Sequence, residues 1–211
     1  MPTGRPEPFQ VALSALRQGL RDGAFRPGDR IAASELGDAL RLSATPVREA
    51  LSRLVGEGVL EDRRGQGFFV RSVSGADLAD LYRMSLALLV IGQDPHRKSL
   101  RRSPEVVTSG ATLDDPVREV ERLFSDWMVE AGGQCLYGAH RSIQVQLAPF
   151  RRAEPQLFAD LEREASELVA LSGADARALR APSLRRFHAR RIAVADRLAT
   201  LAHRRIEASE L

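Results

Sequence analysis

The chain has 211 residues, 44% hydrophobic and 28% charged, with a formal net charge of +3, the balance of a soluble chain that folds around a core. Aromatics are only 5%, so the core must be built from Leu, Val and Ala, which favours helices over a β-sandwich. No run of about eighteen apolar residues occurs, the start MPTGRPEPFQ has no apolar signal core, and Cys135 is the single cysteine; these argue against membrane insertion and secretion, an intramolecular disulfide is excluded, and a cytoplasmic protein is expected.

Lys98 is the only lysine, so the positive charge is carried by arginine. The small excess says nothing by itself about nucleic acid, because binding needs clustered charge and not bulk charge.

In chain order, PFQVALSALRQGLRD (8–22) sets Phe9, Leu13, Leu16 and Leu20 on one helical face, and Gly23 ends that helix. A Pro-Gly turn in FRPGDR follows. Then come a short apolar entry, Ile31-Ala32-Ala33, and a short helix ELGDAL for which Ser34 is the expected cap. After Arg41-Leu42 a third helix opens at Ser43-Ala44-Thr45-Pro46, turns Val47, Leu51, Leu54 and Val55 inward, and stops at Gly56-Glu57-Gly58. Two β-like runs, Val59–Glu61 and Phe68–Val70, flank Arg63-Arg64-Gly65-Gln66-Gly67, a hairpin with a basic, glycine-rich tip. This order predicts a winged helix-turn-helix over residues 8–73.

In such a motif the N-terminal end of the second helix enters the major groove. Ser43 is then the expected cap, Ala44 and Pro46 lie in the first turn, and Thr45 faces a phosphate or a thymine methyl. Arg48 falls on the exposed face, one turn in, where a guanidinium reaches phosphate or guanine; its alternative is an ion pair with Glu49 or Glu57. Arg53 reaches only backbone and is as easily structural as functional. Arg63 and Arg64 would follow the phosphates, with Gly65, Gln66 and Gly67 allowing close approach to the minor groove.

GAFRPGDRI, SELGDAL, LSATPVREALSRLVGEGVL and RRGQGFFV, in that order, resemble the DNA-binding domain of the GntR family of bacterial repressors over residues 10–73. The family usually places Arg directly before the Thr-Pro, where this chain has Ala44, so the resemblance implies an operator read with one contact fewer or read differently.

From Ala76 the pattern is helical only, predicting an all-α domain over 76–206, and the family resemblance implies that it binds an effector or dimerises. ADLADLYRMSLALLVIG is apolar around most of its circumference, as a buried helix would be. Residues 92–116 break the pattern and read as loop. Helical spacing returns with Val117, Val120, Leu123, Phe124 and Met128, then at 135–150, 155–172 and 183–206. In the last of these Leu184, Phe187, Val194, Leu198 and Leu201 make a stripe flanked by arginines, including Arg190 and Arg191.

This half resembles, in degenerate form, the FadR-type (FCD-like) helical effector domain of the same family. Such domains hold a divalent metal through Asp and several His, and the metal binds a carboxylate effector. Carried over, the Asp falls at Glu121, the next His at Ser125 and a later His at His188, leaving Glu121, Ser125 and His188 as candidate effector contacts. The helix-one Arg and Glu positions fall at Ser85 and Leu89. One Glu and one His are short of the three or four ligands zinc needs, so neither metal nor cofactor is expected. Cys135 and His140, five residues apart on one helix, lie on different faces, and no catalytic motif occurs, so no enzyme is expected.

The expected protein is mostly α: a winged helix-turn-helix followed by an all-α bundle, acting as a repressor. It would bind double-stranded operator DNA as a homodimer, with release by a small organic acid effector. The rivals are a helical half that only dimerises and, from another class, a metal-dependent enzyme or sensor.

Overall fold

The computed structural model describes residues 7–94, 115–173 and 176–204. Pro8 opens helix α1 (Pro8–Asp22) at a position whose N–H has no helical partner, and Gly23 closes it in the left-handed conformation, φ 77°. Ala12, Leu13, Leu16 and Leu20 are its buried face, and Phe9 is only half-buried. Phe25 folds back over Gly19, where a Cβ would stand 2.5 Å from the ring.

The entry segment Arg30–Ile31 is a strand, β1, which the sequence pattern did not predict. Ile31 pairs with Phe68, so the chain leaves the sheet and enters α2 (Ala33–Leu40) with Ala32 at the cap position. Ser34, the expected cap, is therefore inside the helix, and no side chain caps it. The helix ends at Arg41, whose backbone is left-handed (φ 56°, ψ 42°), and Leu42 N–H donates to the Gly37 carbonyl at 2.8 Å. A Cβ on Gly37 would lie 2.9 Å from the Leu42 carbonyl oxygen, so this tight turn requires glycine.

Helix α3 (Ala44–Gly56) buries Val47, Ala50, Leu51 and Leu54, with Val55 half-buried at the margin. Strands β2 (Leu60–Arg63) and β3 (Gly67–Val70) form the hairpin, Arg63 opposite Gly67. The sheet runs β1-β3-β2, all antiparallel. Arg17 of α1 holds Glu57, just past α3, through two hydrogen bonds of 2.7 and 2.9 Å.

The second stretch is helical throughout its described residues: α4 (Gly75–Gly92), α5 (Pro116–Ala131), α6 (Gln134–Arg151), a 3-10 turn at Glu154–Gln156, α7 (Leu161–Val169), α8 (Arg177–Ile192) and α9 (Ala195–Arg204). Ser74 caps α4 by accepting the Asp77 N–H at 3.1 Å, and Asp115 caps α5 by accepting from Val117 and Arg118. Leu89, Phe124, Trp127, Met128, Leu168, Leu184 and Phe187 centre the core.

Two expected helices differ. The run 155–172 becomes the 3-10 turn and a later α7, because Phe158 turns inward to pack with Val117 and Leu161. The run 183–206 becomes α8, starting earlier at Arg177, and α9. The break at Ala193-Val194 lets Val194 pack against that same cluster. Most of the expected 92–116 loop lies outside the described residues. The chain divides into two compact units, one up to Val73 with the end of α9 from Leu201, the other Ser74–Thr200.

Candidate functional site

In the first unit, packing of Val47, Ala50, Leu51 and Leu54 leaves Thr45, Arg48, Glu49 and Ser52 exposed on the opposite face of α3. Arg48 forms no hydrogen bond or ion pair among the described residues; Glu57 is instead taken by Arg17 and by Arg53, whose Nε lies 2.9 Å away. Arg53 is thus a strut at the end of α3, although its own side chain is 63% exposed. Ser43 sits at the cap position with extended backbone, but its hydroxyl makes no cap bond, contrary to expectation. Ala44 is half-buried in the first turn.

At the wing, Gln66 N–H closes on the Arg63 carbonyl at 2.8 Å, and Gly65 (φ 74°) and Gly67 (φ 100°) take left-handed backbone that other residues resist. Arg64, Gly65 and Gln66 are exposed at the tip. Arg63 lies over the Phe69 ring at 4.3 Å and within 3.3 Å of Glu61, so it is braced along the strand. Arg30 joins this surface and sequence reasoning missed it. It is exposed on β1 opposite Phe69, with Nε 3.5 Å from where a Gly67 Cβ would stand. Only the β1–β3 pairing, which a two-residue strand hardly announces, could have revealed it.

In the second unit the three effector candidates do not form a set. Ser125 Oγ donates to the Glu121 carbonyl one turn back at 2.9 Å, and the Glu121 carboxylate stands 3.9 Å from Arg151. His188 is fully buried, bonded through Nδ1 to the Leu184 carbonyl (2.8 Å) and through Nε2 to Ser85 Oγ (3.1 Å), and stacked on Phe124. Burial is the largest cause holding its pKa down at about 3, with Arg151, Arg191 and His140 adding to it against the Leu184 bond. His188 is therefore a neutral, satisfied core residue. Among the described residues no three of His, Cys, Asp and Glu cluster as metal ligands.

Three buried arginines were also missed. Arg191 was expected to flank the apolar stripe but is 1% exposed, bonded to Glu154 at 2.8 Å and Glu164 at 2.6 Å, with Phe187 beneath it at 3.4 Å. Tyr82 donates to the same Glu154 at 3.0 Å. Arg180 binds the carbonyls of Leu171 and Ser172, plus Glu130 and Gln93, over Trp127. Arg151 is equally buried, yet among the described residues neither its Nε nor its two Nη atoms has a hydrogen bond. His140, on the same helix, is also fully buried with both ring nitrogens unbonded, and burial, then the Arg151 charge, lowers its pKa to about 4.

Comparison with known proteins defines the class of the first unit. Residues 10–70 match the family described as bacterial regulatory proteins, gntR family. The chain carries a GntR-family winged helix-turn-helix domain, the DNA-binding module of that family. It is 48% identical over 60 residues to the Nta operon transcriptional regulator of Aminobacter aminovorans, a match covering 28% of this chain and 29% of that protein. It is 24% identical over 139 residues to the HTH-type transcriptional regulator YdhC of Bacillus subtilis, covering 60% and 62% of the two chains. The chain thus spans less than two thirds of the length of these relatives, both named as transcriptional regulators and not as enzymes.

The fold extends further than the sequence identity. The structure of Escherichia coli McbR/YncC superposes with a TM-score of 0.65 at 19% identity, over 90% of this chain and 98% of that one. A GntR regulator from Rhodococcus sp. RHA1 gives 0.66 at 19%, over 89% and 96%. The likeness in fold therefore extends over the winged-helix unit and the helical unit alike.

Proposed function

We propose that this protein is a cytoplasmic transcriptional repressor that binds a palindromic operator in double-stranded DNA as a homodimer and releases it when the helical unit takes a small organic acid. The observation that carries the DNA half is Arg48: exposed on the recognition helix, with no partner among the described residues, in the same unit as a wing tipped by Arg64-Gly65-Gln66. An arginine without an intramolecular partner keeps all its donors for phosphate or guanine. Ser43, Ala44 and Thr45 open the same helix, and Arg63 and Arg30 border the wing.

The homodimer follows from operator symmetry, and α4 supports it: Met84 and Ile91, seven residues apart, are 51% and 47% exposed, with Ala87 and Leu88 between them on that face. That stripe also suits the reading in which the helical half only dimerises. The buried polar groups of α6 favour an effector instead. No helix among the described residues is long and apolar enough to cross a membrane.

The test is selection of genomic fragments by the purified protein, followed by a salt series on the winning fragment. The expected result is a two-fold symmetric footprint. If ~6 phosphates are neutralised per dimer, log affinity should fall with log salt at a slope of about −5. An asymmetric site, or binding indifferent to salt, overturns the reading.

A further inference from the structure

His140, Gln144, Leu147 and Arg151 recur on α6 at intervals of four, three and four, the spacing of a single helical face. Three of the four are polar, and each carries hydrogen-bonding groups unmet among the described residues: both ring nitrogens of His140, Oε1 of Gln144, and Nε and both Nη of Arg151. Folded interiors satisfy about nine in ten such groups, so five bare nitrogens on two side chains of one face require an explanation. Glu121 does not provide it. At 3.9 Å it is beyond hydrogen-bond reach of Arg151, though its charge favours the guanidinium form. Arg191 shows what a structural arginine in this unit looks like, with carboxylate oxygens at 2.8 and 2.6 Å.

We propose that the inner face of α6 is a ligand site keyed on Arg151, which takes a compact oxyanion directly on its guanidinium, with no metal between them. A guanidinium only donates, so only an acceptor satisfies it, and its planar fork matches the paired oxygens of a carboxylate, phosphate or sulfate. A cavity of about 10 Å³ adjoins Arg151, lined also by Val117, Val120 and Phe187 and by Glu154 and Glu164, both already bonded to Arg191. That is space for about one water-sized group, so an oxyanion is seated only when the side chains around it, Arg151 first, give way. His140, neutral and about three turns back along the same face, leaves one donor and one acceptor unmet among the described residues. The site replaces Glu121, Ser125 and His188 as the place where the effector binds, and it rests on the reading of the helical unit as effector-binding.

The test uses the full chain, with sodium acetate, phosphate and sulfate titrated at fixed ionic strength and thermal melting as the readout. A saturable rise in the melting midpoint is expected, roughly 5 °C at a hundredfold excess over the dissociation constant. A rise with acetate alone marks an organic acid; a rise with phosphate or sulfate marks an inorganic ion; either supports the site. Arg151→Met should abolish the rise and melt no lower than the parent without ligand, because it removes a buried charge that has no hydrogen bond. Arg151→Lys should retain a weakened rise. The absence of a saturable rise with all three salts, or a rise that survives Arg151→Met, overturns the proposal. So does an Arg151→Met protein that melts well below the parent, since the arginine is then structural. Operator affinity, measured with and without the stabilising ion, addresses the regulatory reading separately: a bound ion that leaves DNA affinity unchanged sinks effector control and leaves the site standing.

Discussion

Arginine plays opposite parts in the two units. On the winged unit Arg48 and Arg64 are exposed and unbonded among the described residues, a state that costs little because water solvates them. In the helical unit Arg180 and Arg191 are buried and held by carboxylates and carbonyls at every guanidinium nitrogen except Arg191 Nε, as a charge removed from water must be. The same missing partner therefore means different things: outside it marks readiness for a phosphate, and inside, at Arg151, a guanidinium with all three nitrogens unbonded among the described residues departs from the pattern of Arg180 and Arg191.

The largest effect should come from breaking the engaged pair. Arg191→Met leaves Glu154, 2% exposed, with only the Tyr82 hydroxyl, and a buried carboxylate deprived of its cation costs about 3–5 kcal/mol. Urea unfolding of Arg191→Met beside Arg151→Met tests the contrast directly. Equal losses in the two variants would mean that the two arginines are equivalent struts.

The second effect is on pH. His140 titrates near 6.5 when unfolded and at about 4 when folded, so between those values the unfolded chain binds more protons. Its contribution to stability is complete above about pH 6.5 and is lost as the pH falls toward 4, on the order of 3 kcal/mol. His188, lowered further to about 3, acts in the same direction. Denaturation midpoints at pH 7 and 4.5 should fall accordingly, and less steeply in His140→Phe. A pH-independent midpoint would mean that the imidazoles are solvated.

On the DNA surface the comparison separates Arg48 from Arg53, five residues apart on α3. Arg48→Ala should weaken operator binding by about 1–3 kcal/mol with little change in folding stability. Arg53→Ala loses an exposed ion pair to Glu57, worth about 0–1 kcal/mol of stability, and should leave specific affinity nearly unchanged. Anisotropy titrations on the selected fragment distinguish them, and a larger loss at Arg53 would reverse the assignment.

What the sequence made legible follows the same division. The first unit was readable almost residue by residue, because glycine turns, a Pro-led helix and alternating wing residues are local signals: α1 occupies its expected 8–22, and α3 ends at Gly56. β1 escaped because two residues carry no periodicity, and Arg30 escaped with it. In the second unit periodicity located α4, α5 and α6 but misjudged α7, α8 and α9, whose limits are set by Phe158 and Val194 packing on Val117. The buried arginines were invisible for a related reason. RRFHARRI reads as an apolar stripe with charged flanks, and only the fold places Glu154 and Glu164 opposite Arg191. The α6 stripe His140–Gln144–Arg151 was present at helical spacing, but polar residues at that spacing ordinarily signal a solvated face.

The smallest effect compares two serines with the same local role and different bonds. Ser74 accepts the Asp77 N–H at 3.1 Å and also donates to the Asp77 carboxylate, so it caps α4 in earnest. Ser43 has nearly the same backbone, φ −68° and ψ 160° against −68° and 163°, but its hydroxyl makes no such bond. Ser74→Ala should therefore cost about 1 kcal/mol of stability, and Ser43→Ala only a few tenths. If Ser43 is reserved for the DNA phosphates, Ser43→Ala should show its loss in operator affinity and not in the melt. A Ser43→Ala protein that loses as much stability as Ser74→Ala would show the hydroxyl capping α3 in solution, and would move Ser43 from the DNA surface to the fold.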